Sequence, residues 1–190
     1  MEGASRRQAG KMACILGLSL KDIEGICRET GGQIANLNCP GQVVISGGVN
    51  EVEKASQLAL GKGAKRVINL EVSGAFHSDL MKPAGDKLTE VLKDAEISPT
   101  VLPVISNVTA EPVKTPQEIK LRLAQQVSSP VRWEDGVRFM SAKGIKHFIE
   151  FGPGKVLKGL LRRIDDTLDV FNIDHVEDLR IQGVKDAVKG

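Results

Sequence analysis

The chain has no tyrosine, one tryptophan and five phenylalanines among its 190 residues. Proteins that stack nucleic-acid bases need exposed aromatic rings, so this scarcity speaks against that class. An excess of charge is missing too. Twenty-six basic and 24 acidic side chains leave a formal net charge of +2, too balanced for a nucleic-acid binder working by bulk electrostatics. Cysteine is rare. Cys14, Cys27 and Cys39 are odd in number, widely spaced and without a CxxC pair, so they make neither a disulfide framework nor a zinc site. They are expected to be buried, reduced thiols, which favours the cytoplasm. No run approaches the ~18 apolar residues of a membrane span. MEGASRRQAG (1–10) lacks the apolar centre of a secretory signal. What is present is ordinary globular material: 41% hydrophobic and 26% charged residues, enough for one sizeable domain or two small ones.

Several reaction motifs are absent as well. There is no GxGxxG, no HExxH and no His/Cys/Asp cluster for a metal. The nucleophile elbow GxSxG is not found. GPGK (152–155) opens a helix where a phosphate could sit, but Val156 follows the lysine and the P-loop spacing is lacking. A tight turn is the preferred reading there.

The periodicities give the organisation. KMACILGL (11–18) is strand-like, and 19–31 is helical. Ser19 is its cap, Ile23, Ile26 and Cys27 its inward face, and Gly31 and Gly32 its stop. QIANLN (33–38) and QVVISG (42–47) pair as a hairpin across CPG. Residues 50–63 are helical with Val52, Ala55, Ala59 and Leu60 inward, and RVINLEV (66–72) is a further strand. The order β-α-β-β-α-β is the split βαβ, or ferredoxin-like, arrangement. Beyond it the pattern predicts helices over 79–95, 115–127, within 129–144 and over 153–164. Strands are expected at 102–108, 147–152 and 168–173. Alternating strands and helices predict a parallel sheet with helical cover. Ser78 suits a helix cap, and Thr115 with Pro116 suits another helix start.

ANLNCPGQVVISG (35–47), GAKR (63–66), HSDLMKPA (77–84), SPVRW (129–133) and EFGPGKVLKGLLRRI (150–164) occur in a fixed order. This ordered set resembles the bacterial malonyl-CoA:acyl-carrier-protein transacylases and, more distantly, the acyltransferase domains of polyketide synthases. The resemblance covers Lys11 to about Asp169. It implies an α/β protein with a ferredoxin-like small subdomain at 11–73. Residues 74–175 would be the C-terminal part of an α/β-hydrolase-like acyltransferase core.

The resemblance also implies roles. His77 matches the base that activates a serine, since a hydroxyl is a poor nucleophile until an imidazole takes its proton. A backbone carbonyl would orient that ring; Gln126 is the matching position, with Gln125 as its competitor. Asn36 and Asn38 match asparagines beside the acyl pocket, and Phe76 could wall that pocket. For the asparagines, turn chemistry at a strand end competes equally. Lys65 and Arg66 match a basic pair at the cleft mouth, where cations would aid encounter with acidic carrier protein or the phosphates of coenzyme A. Cys39 stands where the family often has serine.

The substrates implied are malonyl-CoA and acyl carrier protein, in fatty-acid biosynthesis, with no cofactor, metal, nucleic acid or membrane involved. The serine in GHSxGE, the oxyanion-hole glutamine and the RGxxM arginine have no counterpart in the chain. The expectation is therefore a probable fragment, inactive alone and prone to associate through exposed apolar faces. A non-catalytic ferredoxin-like binding module, or a vestigial subunit, is the alternative.

Overall fold

The computed structural model describes residues 10–180. The chain divides into two compact units, Met1–Gly136 and Val137–Gly190.

In the first unit, β1 (Gly10–Leu16), β2 (Gln33–Cys39), β3 (Gln42–Gly48) and β4 (Arg66–Asn69) form one sheet in the order β2-β3-β1-β4. The pairings β1–β3, β1–β4 and β2–β3 are all antiparallel. Strand alternation sends Ala13, Ile15, Val43 and Ile45 to one face, where α1 (Leu20–Thr30) and α2 (Val49–Gly61) cover them. Ile23, Ile26, Val52, Ala55 and Ala59 fill the same core. Each isoleucine buried there contributes about 2 kcal/mol of transfer free energy. Met12, Cys14, Ala35 and Val44 make a second cluster, and Leu70 and Phe76 pack against it.

The start of α1 follows its sequence signal: Ser19 Oγ accepts from Asp22 N. Leu60, expected inward, is 54% exposed. At 100° per residue it lies well off the stripe of Val52, Ala55 and Ala59, and Leu58 packs on the core instead. The expected strand 66–72 pairs only over Arg66–Asn69.

A 3-10 turn, Asp79–Met81, leads into α3 (Lys82–Lys93) with Pro83 in the first turn. The continuous helix expected over 79–95 thus begins three residues later. Ser78 does stand at the turn's N-cap position, yet its side chain caps nothing; its hydroxyl donates to Ala75 O at 2.7 Å. Of the expected strand 102–108 only β5 (Val104–Ile105) is formed, antiparallel to β6 (Pro112–Val113). α4 (Pro116–Gln126) opens on a capping box. Thr115 Oγ accepts from Glu118 N, and Glu118 Oε2 accepts from Thr115 N. Gly85 lets α3 approach α4 closely, because a Cβ there would lie 3.2 Å from Ala124 O. After a turn at 127–129, Val131 makes an isolated parallel bridge to β2: Leu37 N donates to Val131 O, and Val131 N to Ala35 O, each at 2.8 Å. α5 (Trp133–Ala142) follows.

In the second unit β7 (His147–Phe151), α6 (Val156–Ile164) and β8 (Asp169–Ile173) form a βαβ, and β7–β8 is parallel. Among the described residues this is the one parallel pair of strands, a smaller sheet than the alternation predicted. Glu150 reaches over the Gly-Pro-Gly turn, where Leu157 N and Lys158 N donate to its carboxylate at 3.0 Å each. The amide groups at the start of α6 are thus already satisfied by an internal anion, in keeping with the tight-turn reading of GPGK.

Candidate functional site

His77 sits in the link between the sheet and α3, with φ +58°. That left-handed conformation is uncommon for a residue with a Cβ, although histidine tolerates it better than most. The ring is half-buried. Its Nδ1 lies 2.9 Å from Gln126 O. A carbonyl can only accept, so Nδ1–H donates and the neutral ring presents Nε2 as a bare lone pair. Among the described residues, this is the ring's one side-chain hydrogen bond.

Helix ends explain why that carbonyl is available. The last carbonyls of α4 have no partners within the helix. Ser128 N and Ser129 N both turn to Gln125 O, which leaves Gln126 O to the imidazole. The Gln125 side chain is engaged elsewhere, accepting from Arg122 at 2.8 Å. Of the two competing glutamines, then, it is Gln126 that meets His77, and through its main chain.

The ring lines a groove of about 510 Å3, together with Cys27, Gln33, Ile34, Ser129 and Pro130. Burial pushes the Cys27 thiol up to about 11, so it stays protonated at neutral pH and is a poor nucleophile. Ser78 is fully buried, with its hydroxyl committed to Ala75 O, and offers His77 nothing to activate. Cys14, Cys27 and Cys39 are all free and buried.

The remaining candidates lie elsewhere. Asn36 is half-buried opposite Val44, so it shares the face of the second cluster; Asn38 is half-buried two residues on. Neither lines the groove. Phe76, although next to His77, packs against the second cluster. Lys65 and Arg66 are exposed at the Leu16 end of β1, with no ion pair among the described residues. Ala75 packs against Gly10 at the other end, and a seven-residue strand spans roughly 20 Å. The structure therefore joins His77 to Gln126 and sets the basic pair apart from them. Sequence reasoning missed Gln33, whose Oε1 accepts from Asp79 N at 2.9 Å. A contact between residues 46 apart leaves no local pattern to read.

No group of three or more His, Cys, Asp or Glu that could hold a metal occurs among the described residues. No helix among them is long and apolar enough to cross a membrane.

No protein-family model matches the chain. Individual proteins do. It is 48% identical over 184 residues to the malonyl CoA-acyl carrier protein transacylase of Bacillus subtilis, covering 93% of this chain and 58% of the relative. The Escherichia coli protein of the same name is 41% identical over 172 residues, covering 88% of this chain and 56% of its own length. Among solved structures, a malonyl-transacylase in complex with its type II polyketide-synthase acyl carrier protein superposes with a TM-score of 0.90 at 35% identity, over 94% of this chain and 60% of the other. The Streptococcus pneumoniae enzyme gives 0.90 at 36% identity, over 100% and 62%. The chain spans somewhat over half the length of the curated relatives it matches. By sequence identity and by α/β fold alike, the chain is similar, over most of its own length, to malonyl CoA-acyl carrier protein transacylases.

Proposed function

We propose that His77 is the general base of a malonyl transfer from coenzyme A to acyl carrier protein, in fatty-acid biosynthesis in the cytoplasm. Nε2 takes the proton of a serine hydroxyl as its Oγ attacks the malonyl thioester carbonyl. The C–S bond breaks, coenzyme A leaves as the thiol with that proton, and a malonyl-serine ester remains. The phosphopantetheine thiol of the carrier protein then gives its proton to Nε2 and attacks the ester. Serine leaves, reprotonated by the imidazolium. No cofactor enters these steps.

The observation that carries this reading is the 2.9 Å contact of His77 Nδ1 with Gln126 O, on a ring that lines a groove. It leaves the second nitrogen as a proton acceptor. In this reading the serine is none of the described ones, because no described hydroxyl bonds to the ring. Asn36, Asn38 and Phe76 would border the acyl group or the pantetheine arm. Lys65 and Arg66, exposed and unpaired among the described residues, would steer the acidic carrier protein or the phosphates of coenzyme A.

The domain reading goes with it. Residues 11–73 form a ferredoxin-like subdomain, supported by the strand order β2-β3-β1-β4. Residues 74–175 form the C-terminal part of an α/β-hydrolase-like core, supported by the parallel β7–β8 unit.

The test is malonyl transfer from malonyl-CoA to carrier protein by two proteins: this chain, and a single polypeptide in which the unmatched portion of the Bacillus subtilis relative precedes it. The chain alone is expected to be inert and the fused protein active. His77→Ala in the fused protein should lower the rate by about 10²- to 10⁴-fold, the usual worth of a positioned base. Turnover by the chain alone, or indifference to His77→Ala, would refute the reading.

A further inference from the structure

We infer that Gln33 and Ser78 are positioning residues that hold the strained backbone of His77 and so aim its ring at Gln126; this rests on reading His77 as the base. A non-glycine residue in the left-handed region persists only where its surroundings over-determine it. Two hydrogen bonds flank His77 to do so. On one side, the fully buried Ser78 hydroxyl donates to Ala75 O at 2.7 Å and closes the chain around residue 77. On the other, Gln33 Oε1 accepts from Asp79 N at 2.9 Å.

Gln33 does more than end a turn, because of where it stands. Its strand, β2, also holds Val131, just past the turn that follows α4, through Leu37 N to Val131 O and Val131 N to Ala35 O. α4 is the helix whose last carbonyl receives His77 Nδ1–H. One strand therefore holds both the turn that bears the donor and the segment leaving the acceptor. Gln33 is the only link of that frame that depends on a side chain of β2. Asp79 is exposed, so water can satisfy its N–H when Gln33 is lost. The loss then falls on orientation rather than on folding.

The experiment is nitrogen-15 spectroscopy of the His77 imidazole at neutral pH in the chain itself. Wild type is compared with Gln33→Ala, Gln33→Glu, Ser78→Ala and Ser78→Thr. Backbone amide spectra of the sheet report folding alongside. Wild type should show a neutral ring protonated at Nδ1. Gln33→Ala and Ser78→Ala should lower the tautomer preference about fivefold, the net worth of one hydrogen bond. Gln33→Glu and Ser78→Thr, which keep an acceptor and a hydroxyl, should restore it. A folded Gln33→Ala with an unchanged tautomer ratio overturns the inference and leaves the base reading standing. Should Ser78→Ala fail to fold, Gln33→Ala decides alone. A wild-type ring protonated at Nε2 sinks both readings together.

Discussion

β1 and β7 are both rich in apolar residues, but only one of them is a core strand. β1 pairs on both edges, and four of its seven residues are buried, with Ala13 and Ile15 wholly so. β7 pairs with β8 alone among the described residues, and none of its five residues is buried. Phe151 is 73% exposed and, just beyond it, Val156 is 71% exposed. The difference lies in cover: α1 and α2 lie across one face of β1, whereas parallel strands usually need both faces covered before they act as a core. An apolar strand is a request for neighbours, and burial records whether the request was met.

The contrast is broken most directly by truncation. Ile15→Ala should cost about 3–4 kcal/mol in urea-induced unfolding, as cavity-forming substitutions in packed cores do. Phe151→Ala should fall within about 0.5 kcal/mol, like other exposed positions. Equal costs would show that the second unit is packed as tightly as the first. Gly85→Val should destabilise by about 2 kcal/mol, because its Cβ starts 3.2 Å from Ala124 O and the branch must push α3 from α4. Calorimetry measures it, and a neutral outcome would mean the two helices slide freely.

Ser46 adds a smaller test inside the well-packed sheet. Its Oγ is buried with no hydrogen-bond partner among the described residues. Ser46→Ala should therefore stabilise the chain by about 1 kcal/mol, since it removes a desolvated, unpaired hydroxyl. Thr115→Ala should cost about 1 kcal/mol through loss of the α4 cap.

The smallest effect is acid dependence. Hydrogen bonds from Thr115 N, then Lys114 N, hold the Glu118 carboxyl below its usual range. A lowered folded-state pKa means that its stabilisation is present above the ordinary carboxylate value and is lost as pH falls through the folded one. Unfolding midpoints taken from pH 6 to pH 3 should decline less in Glu118→Gln than in wild type.

Much of the fold was legible along the chain because its signals are local. The Ser19 and Thr115 caps, the inward faces of α1 and α2, and the hairpin across residues 39–41 all depend on residues within a turn or two of one another. Expectations failed where the outcome needed a distant partner. Residues 102–108 read as a strand but pair over two residues only, because pairing needs a neighbour that local pattern cannot supply. Ser78 read as a cap because its identity and position fit. Its hydroxyl turned backward, since Ala75 O was the acceptor within reach. The groove residue Cys27 read simply as a core thiol, which it also is.

His77 was singled out by its motif, and Gln126 by its distance ahead of Ser129-Pro130; these belong to the order of residues, as do the helix caps and the β-α-β-β-α-β rhythm. What tertiary structure alone decided is that the two meet. Forty-nine residues separate them, and the contact exists because α3 packs on α4 at Gly85 and because the helix end leaves one carbonyl without an amide. The left-handed turn at His77 and the reach of Gln33 to Asp79 were likewise decided in three dimensions. Hydrogen bonds depend on distance and angle in space, and residues far apart in sequence acquire these only when the chain has packed.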